Sequence, residues 1–254
     1  MPDRTQLTAI IITQDEPFVV PVLLDGLLAE KADRFVAIYI ADDPRAEGKL
    51  AALRRWAGVL GPISFIRYCL RYLSAKLSGA GPAKVARDYG VEVERLSDVN
   101  APAFLALLRR MDVDLAISVA CPQIFRKELL ALPPIGCINV HSGPLPRYRG
   151  MMPTFWVLYE HELETAVTVH YMNERLDDGP IILQEAVPIR AGESQANLMR
   201  RCKAIGARLL SQTIDLLEMG EVHTQANPRE EATYYSFPTP EQAREFRRTG
   251  GRWL

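Results

Sequence analysis

Two apolar periods alternate along the chain. Leu7–Thr13, Phe35–Ile40, Leu115–Val119 and Cys137–Val140 are short, nearly continuous apolar runs, the pattern of strands buried on both faces. Between them the apolar positions fall at helical spacing. From Pro17 onward Val20, Leu23, Leu24, Leu27 and Leu28 share one face, and Phe104, Leu105, Leu107 and Leu108 do the same within Asp98–Met111. Strands alternating with helices predict an α/β fold with a doubly wound, mostly parallel sheet. Ligands of such sheets sit beyond the carboxyl ends of strands, where Asn139 and His141 fall.

Further along, Thr165–His170 reads as a strand. Ser194–Met219 reads as a long helix, with Ser194 as N-cap, Gly220 as stop and Leu198, Met199, Cys202, Ile205, Leu209, Leu210, Ile214 and Leu217 on its apolar face. Thr239-Pro240-Glu241-Gln242 has the form of a capping box and predicts a short final helix ended by Gly250-Gly251. The pattern divides the chain into a main unit, residues 1–190, and a helix and tail, 191–254, packed on it. One segment breaks the rhythm. Around 56–84, Val59, Leu60, Ile63, Phe65, Ile66, Leu70, Tyr72 and Leu73 are interleaved with Arg67, Arg71, Lys76 and Lys84. It predicts an inserted helical pair or one long amphipathic helix. Packing on its own domain is the favoured role. A homodimer contact or a lip over the binding site are the alternatives, and a membrane-surface role lacks a second anchoring signal.

Composition narrows the functional classes. The 254 residues are 48% apolar and 24% charged, enough for one sizeable core. A net charge of −1 gives no global electrostatic case for nucleic acid. Cys69, Cys121, Cys137 and Cys202 show no metal-ligand spacing, so free thiols and no metal site are expected. No apolar run has transmembrane length, and Met1-Pro2-Asp3-Arg4-Thr5-Gln6 lacks the apolar segment of a signal peptide. A cytoplasmic protein without a membrane partner is the expectation.

The chemistry concentrates between Cys137 and Gln184. Asn139-x-His141, then Leu145-Pro146-Arg147-Tyr148-Arg149-Gly150, then Thr168-x-His170, then Leu176-Asp177-x-Gly179-x-Ile181 resembles the folate-dependent formyltransferases. That family includes glycinamide ribonucleotide transformylase, methionyl-tRNA formyltransferase and the amino-sugar N-formyltransferases. The resemblance covers about Asp114 to Gln184 strongly and Leu7 to Met111 more weakly. It implies a Rossmann-like formyltransferase fold, with residues 1–190 as the catalytic domain, and 10-formyltetrahydrofolate as co-substrate. It implies Asn139, His141 and Asp177 as catalytic residues. It also implies two cofactor walls, the loop Cys121-Pro122-Gln123-Ile124-Phe125 and the segment Asn173-Glu174-Arg175-Leu176.

The residue types suit acyl transfer to an amine. Attack on a formyl carbon makes an oxyanion, to which Asn139 can donate an N–H and a protonated His141 can add charge. Asp177 would raise the His141 pKa and hold a proton-relaying water. No covalent intermediate is needed, so no cysteine is assigned as a nucleophile. Tyr148 and Arg149 are read as loop-stabilising more than acceptor-binding, Asp178 as a turn residue, and His170 as a packed residue beside the site.

The acceptor is argued from departures. The loop Thr13-Gln14-Asp15-Glu16-Pro17 has no glycine and carries two carboxylates, a poor phosphate cradle, so glycinamide ribonucleotide is disfavoured. Asp15 or Glu16 either caps the next helix or meets an acceptor ammonium. Residues 220–254 are too few for the second, β-rich domain of methionyl-tRNA formyltransferases. The expectation is a small-molecule amine, on a nucleotide-linked amino sugar. The alternatives are a methionyl-tRNA formyltransferase-like enzyme lacking that domain, a formyltetrahydrofolate hydrolase, and a non-enzymatic folate-binding module. Tyr234–Pro238 is read either as a face for a sugar or nucleotide or as packing of the tail.

Overall fold

A computed structural model of the chain describes residues 6–46 and 48–254. The first five residues, on which the expectation of no signal segment largely rests, lie outside the described residues. In chain order the elements are β1 Ala9–Thr13, α1 Val20–Lys31, β2 Phe35–Ala41, α2 Lys49–Leu60, α3 Pro62–Leu77, α4 Pro82–Asp88, β3 Glu92–Leu96, α5 Pro102–Met111, β4 Leu115–Val119 and α6 Lys127–Leu130. There follow β5 Gly136–His141, β6 Arg149–Gly150, α7 Pro153–Tyr159, β7 Glu164–Tyr171, β8 Ile181–Pro188, α8 Gln195–Met219, β9 Tyr234–Tyr235 and α9 Pro240–Arg248.

Seven strands form one sheet in the order β3-β2-β1-β4-β5-β7-β8. The first five are parallel and the last two antiparallel. The α/β, mostly parallel fold follows from the sequence because β1 and β4 are buried at every residue. Both faces of the sheet must then be covered by helices. One face packs on α1, α7 and α8, and the other on α5 around Tyr39, Phe104, Leu108 and Phe125. Tyr39 and Phe104 meet edge to face there at 4.8 Å.

Several elements differ from the pattern reading. β3, Glu-Val-Glu-Arg-Leu, is an edge strand whose charges hide its alternation. α7 is too short for a helical period to register. The insert takes the helical pair of the two expected forms, but helix begins at Lys49 rather than near Trp56. Gly61, at φ 74°, breaks the chain between α2 and α3, and Pro62 opens α3. Trp56 of α2 stacks on Tyr68 of α3 at 5.5 Å. Tyr235 stacks on Tyr148 at 5.2 Å, and Trp156 donates its indole N–H to the Ser236 carbonyl, so the tail packs on the core.

α8 crosses β5 and β7 closely because Gly206 presents no side chain. A Cβ there would lie 3.0 Å from Val140 and 3.3 Å from Leu23. Gly206→Val should therefore destabilise the fold by about 1–3 kcal/mol, through overpacking. Urea unfolding followed by circular dichroism measures it, and an unchanged midpoint would mean that α8 does not seat against α1 and β5.

Candidate active site

β5 and β7 pair with Asn139 opposite His170 and His141 opposite Thr168. Residues two apart on a strand share a face, so Asn139 and His141 point the same way and His170 joins them across the ladder. Asp177 comes from the loop after β7, its backbone in the left-handed region at φ 51°. Its Oδ2 lies 3.6 Å from His141 Nδ1 and its Oδ1 3.6 Å from His170 Nε2. The Asn139 amide nitrogen lies 3.2 Å from His170 Nε2 and 3.5 Å from Asp177 Oδ1. The three residues singled out in the sequence are thus brought together, and His170 completes a group of four.

Carbonyl partners fix the tautomers, because a carbonyl only accepts. His141 Nε2 lies 2.8 Å from the Tyr148 carbonyl and must carry a hydrogen. His170 Nδ1 lies 2.8 Å from the Tyr171 carbonyl and must carry one too. The bare nitrogens of neutral rings, His141 Nδ1 and His170 Nε2, then face Asp177. His170 Nε2 accepts from Asn139, which orients the amide with its NH₂ toward the carboxylate and leaves one N–H without a short bond.

Burial favours a neutral Asp177, but the facing histidines and the Gly150 N–H outweigh it and hold the carboxyl well below the usual carboxylate range. Gly150 donates to Oδ2 at 2.8 Å. For His141 the balance is reversed. Burial pushes its pKa below the ordinary 6.5, against the opposing pull of Asp177 and the Tyr148 carbonyl. The expected upward pull from Asp177 exists, but desolvation exceeds it, so the imidazole is neutral at neutral pH.

The loop after β5 is built around the imidazole. A Cβ on Gly143 would lie 2.8 Å from His141 Nε2 and 2.9 Å from Pro153. Thr168 donates its hydroxyl to the Gly143 carbonyl at 2.8 Å, and Gln184 donates to the Leu145 carbonyl at 2.9 Å. The Asp177 loop is pinned from the tail. Asn227 donates to the carbonyls of Asp177 and Gly179, both at 2.9 Å. Asp178 is buried and not a simple turn residue. It accepts from Arg229 at 2.8 Å and from Arg149 at 2.5 Å, and Arg149 is wholly buried. Those contacts hold the Asp178 carboxyl below its usual range, with the Arg229 bonds contributing most.

The two expected cofactor walls divide by role. Gln123 is committed to the backbone: it accepts from Val99 N–H at 3.0 Å and donates to the carbonyls of Asp42 and Ser97 at 2.7 and 2.9 Å. Phe125 is 1% exposed and belongs to the α5-side core, so its ring is not available to a ligand. Cys121 and Pro122 are half-buried, while Ile124 is 71% exposed. In the second segment Asn173 donates to Asp178 at 3.2 Å and caps the Arg175 N–H at 2.9 Å. Glu174 and Arg175 are exposed, and Leu176 is 54% exposed. Ile124 and Leu176 are the apolar side chains these two segments leave uncovered.

Two further residues bear on the site. Glu16 turns its carboxylate onto the N–H groups of Phe18, Val19 and Val20 at 2.8–3.0 Å, where the chain enters α1. Asp15 pairs instead with Arg95 at 2.7 Å. Lys203 of α8 escaped the pattern reading because it sits between apolar positions. It is 7% exposed, and burial pushes its amine down while Cys202 and Glu16 pull it up. Its charge also opposes protonation of His141. The thiols of Cys137 and Cys202 are pushed up to about 12 by burial, and Cys121 to about 11, so these thiols stay protonated at neutral pH.

Similar proteins place this geometry. A methionyl-tRNA formyltransferase of Syntrophus aciditrophicus (strain SB) is 42% identical over 154 residues, 60% of this chain and 49% of that protein. One from Trichlorobacter lovleyi is 36% identical over 159 residues, 63% of this chain and 50% of that protein. The chain therefore spans about half the length of these relatives. Two solved structures share the fold. Glycinamide ribonucleotide transformylase 1 of Symbiobacterium toebii has a TM-score of 0.64 at 20% identity, covering 88% of this chain and 92% of that one. A sugar N-formyltransferase from Shewanella sp. FDAARGOS_354 has a TM-score of 0.60 at 21% identity, covering 91% and 77%. The family model described as formyl transferase matches residues 73–214, more than half of the chain, and the chain belongs to that family.

Proposed function

We propose that the protein is an N-formyltransferase that moves a formyl group from 10-formyltetrahydrofolate to the amine of a small acceptor, a nucleotide-linked amino sugar. The observation that carries the reading is the meeting of an Asn139 amide, a neutral His141 and an anionic Asp177 at the end of β5 in a member of this family.

The residues present fit the formyl donor. Ile124 and Leu176 offer uncovered apolar surface, and Cys121–Gln123 offer backbone hydrogen-bonding groups beside the site. The Ser142 hydroxyl, buried next to His141, has no partner among the described residues. Cys121, Pro122, Ile124, Asn173 and Leu176 would hold the donor, which supplies an electrophilic one-carbon acyl group.

Each side chain then has one task. The free N–H of Asn139 stabilises negative charge on the formyl oxygen, and His170 keeps the amide facing that way. His141 keeps Nε2–H on Tyr148, so Nδ1 is the nitrogen able to take the proton of the attacking amine. Asp177 stabilises the imidazolium so formed and can hold a water that relays the proton. The proton passes on to the departing amine. No thiol takes part.

The acceptor follows from the α1 entrance. Glu16 already fills the N–H groups that would otherwise bind an anion, and its own charge repels phosphate. That supports an amine presented without a phosphate at this position. A second reading, formylation of methionyl-tRNA, is favoured by the relatives of 36–42% identity.

The deciding experiment incubates the protein and 10-formyltetrahydrofolate with amino-sugar nucleotides, or with charged initiator tRNA, and reads tetrahydrofolate release and formyl mass gain. Formyl gain on a sugar amine is expected. Gain only on tRNA would replace the acceptor, and formate release without any acceptor would mean hydrolysis.

Asn139→Ala should lower kcat about 10²–10³-fold, the usual cost of an oxyanion donor. An unchanged kcat would remove Asn139 from the site. The rate should rise with pH as His141 loses its proton, with the inflection below 6.5. Asp177→Asn removes the group that raises the His141 pKa, so the inflection should move still lower and kcat should drop about 10²–10⁴-fold. A pH–rate profile of the two proteins tests this, and an upward move of the inflection would contradict it.

A further inference from the structure

α3 has one face that its own fold uses and one that it does not. Inward, Tyr68 stacks on Trp56 and meets Phe18 edge to face at 5.5 Å, with Tyr72 beside it. Outward, Ile63, Ile66, Leu70, Leu73 and Leu77 are 75, 59, 63, 56 and 81% exposed. Their spacing alternates three and four, so on a helix they fall within about 80° of arc, an unbroken aliphatic stripe along four turns. Leu50 and Leu53 of α2 are also exposed.

Charge sets this stripe apart from an ordinary protein contact. Residues 50–87 hold Arg54, Arg55, Arg67, Arg71, Lys76, Lys84 and Arg87 and not one of the chain's 31 acidic residues. By helical position, Arg67 and Arg71 flank one edge of the stripe and Lys76 the other. Arg71 lies over Phe18 at 5.1 Å and Lys76 over Tyr72 at 5.6 Å, their stems running along apolar surface.

We propose that the α2–α3 hairpin docks the protein on an anionic phospholipid surface, with the Ile63–Leu77 stripe among the upper acyl chains and the flanking Arg and Lys on lipid phosphates. Charge complementarity selects this occupant. A second copy would bring the same basic rim against itself, and the like charges would repel. A nucleic acid would satisfy the cations but leave five aliphatic side chains in water. A lipid interface satisfies both, and apolar insertion plus a basic patch are the two signals that stable peripheral binding needs. The proposal departs from the expectation of no membrane partner, because the structure shows the aliphatic side chains of this basic segment gathered on one exposed face. The attachment is peripheral, since among the described residues no helix is long and apolar enough to cross a membrane.

The test is flotation of the full chain with vesicles of phosphatidylcholine alone or mixed with phosphatidylglycerol. Binding to the mixed vesicles is expected, at least about tenfold weaker on phosphatidylcholine alone and weakened by salt. The double variant Leu70→Ser/Leu73→Ser and the double variant Arg67→Glu/Arg71→Glu should each lose about tenfold or more. Both pairs are exposed, so the thermal midpoint and formyl transfer should stay at wild-type values. Any of four results would overturn the proposal: a folded chain that does not float, serine variants that float as well as wild type, a stripe-dependent dimer in sedimentation without lipid, or RNA that binds the hairpin more tightly than the vesicles do.

Discussion

Burying one carboxylate organises this molecule. Asp177 is 8% exposed, and a lone buried anion would be costly enough to take up a proton instead. Groups converge on it from three directions: the Gly150 N–H donates at 2.8 Å, the Asn139 amide lies 3.5 Å away, and the two imidazoles lie 3.6 Å away, where either would be an ion-pair partner once protonated. They come from different parts of the chain, so the carboxylate ties β5, β7 and the β6 segment to one point. Its left-handed backbone would relax without support. Asn227 and the Arg149–Asp178–Arg229 network supply that support from the tail. The tail is therefore part of the site's construction, although it contributes no reacting group.

The same constraint sets how the two histidines are held. Both face Asp177 with a bare nitrogen and both spend the other nitrogen on a backbone carbonyl. They differ in what surrounds them. Gly143 leaves no room for a Cβ beside His141, and burial of that ring, with Lys203 adding to it, lowers its pKa despite the carboxylate. Under the proposed function, a base that faces an anion gains most when it takes up a proton, because only then is the facing charge useful. Preorganisation of this kind costs nothing at the moment of reaction.

The sheet was legible in the sequence wherever strands are buried on both faces, since continuous apolar runs have no other good reading. β3 was not, because an edge strand can carry Glu92, Glu94 and Arg95 without penalty. In the site, Asn139, His141 and Asp177 were legible as candidates only through the resemblance of their motifs to the formyltransferases. Asp178 and Arg149 were partly hidden, because nothing in a sequence tells a buried ion pair from two solvated charges. Phe125 shows the opposite error: an aromatic in a candidate binding loop was equally a core residue, and packing against Leu129 and Cys137 decided it. Lys203 gave one signal, a cation inside an apolar helical period, whose meaning depends on what lies across from the helix.

Under the proposed function, what surrounds the reacting group bears on the acceptor more than the reacting group does. Four residues at the end of β5 suit formyl transfer to any unprotonated amine, so selectivity must come from how the amine is delivered. At the entrance to α1 the chain has supplied its own anion, Glu16, where a ligand phosphate would otherwise sit, and Lys203 lies close enough to feel that charge. A phosphate-bearing acceptor would have to displace an internal carboxylate that already satisfies three backbone N–H groups. An amine whose phosphates lie farther away meets no such obstacle. On the adjoining side, Phe18 joins this entrance to Tyr68 and Tyr72 of the basic hairpin. Under the proposed function, it is therefore the Glu16 carboxylate at the α1 entrance, outside the four-residue group, that bears on which amine is taken.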